Sequence, residues 1–193
     1  MINQTTFKIN DTTKINLVLP CKEDELDCCS EIKIVLEHGD QKLLLFDKSD
    51  IRYALEPLKV LLNEALTGDG KLHESIAQQD IGYLWNEEIH GTVALPVKEG
   101  ALFWVGEHHL LWESSSKIAT WIYNKGDSII FEITPVYKSN QLDENNEPIS
   151  YTDWLKKYHP IMNIEIDKNT ARRWLEQTES ILNVVETNIS LQP

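Results

Sequence analysis

The residues best equipped for chemistry lie in two stretches. In one, Glu107, His108, His109 and Glu113 follow one another closely. Imidazole and carboxylate are the usual pair for proton transfer near neutral pH. Adjacent residues on a strand point to opposite faces, so both histidines could serve one site only through a bulge. Glu107, His108 and Glu113 could still face a common cleft as a minimal acid–base set. The plainer reading is a turn histidine followed by a packed one. In the other stretch, Cys21, Cys28 and Cys29 precede His38. These types suit zinc, but no C-x2-C or H-x3-H spacing is present. Adjacent Cys28 and Cys29 are poorly placed to bridge each other, so reduced thiols are expected. Arg172-Arg173 is a tight basic pair where a helix should begin. There it opposes the helix dipole, so a salt bridge is expected rather than a substrate site. The chain has no G-x-S-x-G, no glycine-rich phosphate loop, no H-E-x-x-H and no deaminase signature. The expectation is a protein without catalytic residues, cofactor or metal.

Charge points to a partner instead. The 193 residues carry 18 Lys and Arg against 31 Asp and Glu, a formal charge of −13. Such a surface repels phosphates, which disfavours nucleic acid and anionic membrane. It suits solubility, and equally a basic protein partner, since complementary charge speeds and selects association. The candidate contacts are exposed acidic segments. Glu23, Asp24, Glu25 and Asp27 form the first, and Asp143, Glu144 and Glu147 a later one. Glu87 and Glu88 form a third, with Trp85 as an aromatic anchor. No apolar run reaches the roughly 18 residues of a membrane span. The first residues lack a basic region followed by an apolar one, so no signal peptide is read and a cytoplasmic location is expected.

Elements must position these groups. A meander from Ala101 to Val136 organises the chain. It is read as strands Ala101–Val105, His109–Glu113, Lys117–Asn124 and Ser128–Val136, the last two joined across Lys125-Gly126-Asp127. In the last strand Ile129, Phe131 and Ile133 share one face, which leaves Glu132 facing solvent. Upstream, period-two alternation predicts two strands within residues 5–19. A hairpin is expected around His38-Gly39-Asp40, with Leu43–Phe46 as a strand buried on both faces or at the centre of a sheet. Asp47 to Leu66 has helical spacing, with Asp47 or Ser49 as cap and Gly68 as stop. Pro57 inside it predicts a kink or two helices. Leu72 to Asn86 reads as a short helix and Glu87 to Gly100 as irregular. Ser150 should cap a short helix bearing Tyr151, Trp154, Leu155 and Tyr158. Ile161 to Ile166 alternates as a strand. Asp167 to Glu186 closes the chain as a helix, with Thr187 to Pro193 frayed. Trp104, Trp121, Trp154 and Trp174 are expected in the core, Trp85 and Trp112 beside loops. Strands in runs and helices in runs, without βαβ alternation, predict one α+β domain with a largely antiparallel sheet.

Three segments together, Trp121 to Tyr137, Tyr151 to Pro160 and Trp174 to Gln177, resemble small acidic bacterial immunity proteins. Those are encoded beside secreted toxins in contact-dependent inhibition and other polymorphic-toxin systems. The resemblance covers the C-terminal half, and its motifs are structural. It implies a cytoplasmic protein that binds and neutralises one cognate toxin domain by covering its active site, and it transfers no catalytic residue. A basic nuclease is the toxin that would best complement −13. Two alternatives stay open: a non-catalytic regulatory or scaffold protein, and a small enzyme using Glu107 and His108.

Overall fold

The computed structural model describes residues 3–22, 25–27, 30–48, 50–91, 104–139, 141–142 and 146–190. Its N-terminal half begins with the four expected strands. β1 (Asn3–Lys8) and β2 (Thr13–Leu19) pair antiparallel, placing Phe7 opposite Ile15. β3 (Lys33–His38) and β4 (Gln41–Phe46) form the hairpin, with Gly39 in the left-handed region at φ 56°. The order is β1-β2-β3-β4. β4 is therefore an outer strand, not the centre that its apolar run suggested. Leu43 and Leu44 are only half-buried, while Leu45 and Phe46 turn into the core.

α1 runs Ile51–Thr67 as one helix. Asp50 caps it by accepting from the Arg52 N–H, and Gly68, at φ 86°, closes it with its N–H on the Glu64 carbonyl. Asp47 is not the cap, and Ser49 lies outside the described residues. Pro57 does not divide the helix. Proline removes one backbone bond, but buried Leu55, Leu58, Leu61 and Leu62 hold both halves against the core. Burying such side chains contributes about 1.5–3 kcal/mol each, which outweighs the roughly 3 kcal/mol of an interior proline.

The second sheet has the order β5-β6-β7-β8, all antiparallel: β5 (Leu110–Ser114), β6 (Ile118–Lys125), β7 (Ser128–Pro135) and β8 (Met162–Ile166). Of the first expected strand of the meander, residues 101–103 lie outside the described residues, and Trp104 makes only an isolated bridge. Glu107–His109 is a tight 3-10 turn. α2 (Ile81–His90) starts and ends later than Leu72–Asn86, because residues 74–78 are turns. It also occupies part of the stretch read as irregular, whose residues 92–100 lie outside the described residues. α3 (Tyr151–Leu155) is capped by Ser150, whose hydroxyl accepts from the Asp153 N–H. α4 (Lys168–Ser190) starts at Asp167, which accepts from the Asn169 and Thr170 N–H groups. It extends past Glu186 and through Thr187 to Ser190, and Asn188 donates to the Leu26 carbonyl at 2.7 Å. Residues 191–193 lie outside the described residues.

The result is a single α+β domain in which β6 and β7 are covered on both faces. One face, with Ile122, Ile129, Phe131 and Ile133, packs into the main core shared with the first sheet, α1 and α4. The other face, with Ala119, Trp121, Tyr123 and Ile130, packs under Ile81 and Leu84 of α2 and beside Trp104. Glu132 lies on this second face and is 1% exposed, so the solvent-facing expectation fails. Alternation along one strand distinguishes two faces but cannot show that a helix covers the second.

Candidate functional site

Buried Glu132 sits in the most perturbed group of side chains. Tyr123, on the neighbouring strand β6, donates to Glu132 Oε2 at 2.5 Å, and Asn163 of β8 donates to the same oxygen at 3.4 Å. Asp80, the residue before α2, acts on Glu132 to raise its carboxyl, and the Gly82 backbone acts in the opposite direction. Tyr158 donates to Asp80 Oδ1 at 3.1 Å. Asp80 has the residue type of a helix cap, yet it makes no capping bond. Its carboxylate is spent on Glu132 and Tyr158.

Burial, and then the Asp80 carboxylate, push the Glu132 carboxyl up to about 8. Glu132 Oε1 is buried and receives no N–H or O–H from the protein. Two carboxyl groups side by side repel when both are ionised, which favours one shared proton between them. Burial and these carboxylates likewise raise the phenols of Tyr123 and Tyr158, which stay protonated donors. The arrangement holds a proton between two acids. It joins α2 to three strands and to the segment after α3.

The same face of α2 continues the pattern. Tyr83 meets Tyr158 edge-on at 5.9 Å, Tyr151 donates to Glu87, and His90 bonds the Tyr137 carbonyl at 3.1 Å. Positions 80, 83, 87 and 90 thus hold Tyr137, Tyr151 and Tyr158 along one side of α2. Glu87 is 8% exposed and engaged internally, so it is not the surface contact that its charge suggested. Trp85 is half-buried, with ring centres 6.2 Å from Trp104 and 5.5 Å from Trp121. It packs inward instead of anchoring a partner. Trp112, also assigned to a loop edge, is 2% exposed and donates to the Ala54 carbonyl of α1 at 2.9 Å. Glu88 is exposed.

Other sequence candidates separate. Glu25 and Glu147 are exposed and Asp27 is half-buried, exchanging bonds with Ser30. Glu23, Asp24, Asp143 and Glu144 lie outside the described residues, as do Cys28 and Cys29. The turn Glu107–His109 keeps its two histidine rings edge-on, 5.5 Å between centres, but in different surroundings. His108 binds Glu64 of α1 at 2.8 Å, in the open. His109 is buried, which lowers its imidazole to about 4, with His108 adding to the effect. His38 uses Nδ1 on the Thr13 hydroxyl at 2.8 Å. Among the described residues, no group of three or more His, Cys, Asp or Glu is placed to hold a metal ion. Arg172 and Arg173 bond Asn169 and Thr170, side chains of their own helix turn, instead of the expected salt bridge.

Open clefts among the described residues include two of note. One of about 460 Å³ lies between residues 71–78 and the β6–β7 turn, with Lys71, Gln78, Lys125 and Asp127 on its walls. The other, about 360 Å³, lies beside α3 with Gln141, Asp153 and Lys157. Neither is lined by Asp80 or Glu132, so this acid pair does not open into them. Among the described residues no helix is long and apolar enough to cross a membrane. Comparison with known protein families, curated proteins and solved structures found no match.

Proposed function

We propose that this chain is an immunity-type inhibitor, which binds one cognate basic toxin domain in the cytoplasm and covers its substrate cleft. The observation that carries this reading is the surplus of negative charge, −13. Exposed carboxylates such as Glu25, Glu31, Glu56, Glu88 and Glu147 carry part of it. Of the first acidic segment, the described residues Glu25 and Asp27 stand on an anchored stretch. Leu26 is fully buried, Asp27 and Ser30 bond each other, and Asn188 of α4 ties the Leu26 carbonyl. The Ile32 N–H bonds the Lys48 carbonyl at 3.4 Å, which sets the segment beside the entry to α1. A surface fixed before binding loses less entropy on association. The enzyme alternative gains little, since His108 already spends its Nε2 on Glu64.

The test uses the purified chain and the C-terminal domain of the secreted protein encoded by the adjoining gene. Tight binding, an association rate that falls with salt, and protection of cells expressing that domain are the expected results. Reversing Glu25 and Glu31 to Lys should slow association severalfold. No binding between the two wild-type proteins refutes the reading.

A further inference from the structure

The outer face of α1 is built differently from the rest of the acidic surface. Tyr53 is 70% exposed and Val60 49% exposed, and they stand seven positions apart, two turns along one face. Glu56 lies between them and is exposed, and Glu64 follows one turn after Val60, partly exposed. Pro57 belongs to the same face. A proline there has no N–H, so the Tyr53 carbonyl loses the donor that would close its helical bond. The cations at the margins are already engaged, Arg52 with Asp50 and Lys59 with Glu179 of α4. This face therefore combines an exposed aromatic ring, an exposed aliphatic side chain and the exposed carboxylate of Glu56, while Glu64 is engaged by His108.

One side chain answers all of these at once. A guanidinium stacks on an aromatic face, donates several N–H groups from one plane, and carries the charge that pairs with carboxylates. We infer that the α1 face around Tyr53, Glu56 and Val60 is the docking surface for an arginine presented by the basic partner. The arginine lies on the Tyr53 ring with its fork toward Glu56, while Val60 covers the apolar stem. This rests on the binding reading above and gives it a location. A second copy of the chain is the wrong occupant, because it brings another −13.

The experiment measures binding of the adjoining-gene toxin domain to wild type and to Tyr53→Ala, Tyr53→Phe, Glu56→Gln and the remote exposed control Thr152→Ala. The altered side chains are exposed, so melting temperatures should stay close to wild type. Tyr53→Ala should weaken affinity about tenfold or more, chiefly through faster dissociation. Tyr53→Phe keeps the ring and should bind almost as wild type. Glu56→Gln should weaken binding severalfold and flatten its salt dependence, and Thr152→Ala should do nothing. If wild type binds and Tyr53→Ala and Glu56→Gln bind equally well, the docking surface is refuted while the inhibitor reading stands. If wild type binds no such domain, both fall. If wild type self-associates in sedimentation and Tyr53→Ala abolishes that, a second copy occupies the face and the arginine proposal is overturned.

Discussion

Glu132 carries a proton in the folded chain that it loses on unfolding near neutral pH. Its folded value of about 8 lies above the usual 4.5, so between these the folded state binds the extra proton. The stabilisation is fully present below about 4.5 and is lost as pH rises through about 8. His109 acts in the opposite sense: held near 4 against an ordinary 6.5, it lowers stability as pH falls from 6.5 towards 4. Above 6.5 that effect is over, and the slope belongs to Glu132. Wild type should therefore lose up to about 2 kcal/mol of stability between pH 6.5 and 8. Glu132→Gln keeps a donor for Asp80 and an acceptor for Tyr123 but cannot ionise, so its stability should be flat across that range. Urea unfolding at several pH values gives both slopes. An equal slope in wild type and variant would show that the proton is not shared at this pair.

Local elements were legible where a short stretch contains its own cause. Asp167 before α4, Ser150 before α3, and Gly39 and Gly126 in their turns all sit where their residue types are useful. The misreadings at Glu132 and Trp112, and the role of Asp80 that the sequence did not suggest, share another origin. Each side chain finds its partner far away in sequence: Asp80 on Glu132 and Tyr158, Trp112 on Ala54. Local pattern carries no information about such pairs. The joint between α2 and β7 shows what they demand. A Cβ added at Gly82 would lie 2.3 Å from the Thr134 methyl and 2.5 Å from its hydroxyl oxygen. Thr134 is fully buried and accepts from Trp121 Nε1 at 3.0 Å, so it cannot turn aside freely. Gly82→Ala should cost about 1–3 kcal/mol through overpacking, despite alanine's better helix propensity. It should also pull the Gly82 N–H from Glu132. A lower urea midpoint with an unchanged m-value is the expected result, and an unchanged midpoint would mean α2 does not pack this closely on β7.

At the scale of the whole molecule, one surplus of charge acts on two equilibria with opposite signs. In the free chain, −13 is self-repulsion, which favours expansion. The ion pairs that could offset it include Lys8–Asp11 and Lys156–Asp153, both exposed. Exposed pairs contribute about 0–1 kcal/mol at most, so little is lost when salt screens them. Screening the net repulsion therefore wins, and raising NaCl from about 0.05 M to about 0.5 M should raise the melting temperature of the free chain. Binding to a basic partner responds the other way, because the same screening removes the attraction that steers encounter. Over the same salt range the association rate should fall while dissociation, set by desolvated contacts such as those proposed at Tyr53, changes little. Circular dichroism on the free chain and stopped-flow mixing with the toxin domain read the two responses in one buffer series. A melting temperature that falls with salt would mean that the native ion pairs outweigh net repulsion. Association that ignores salt would remove charge complementarity as the basis for partner choice, whatever the affinity.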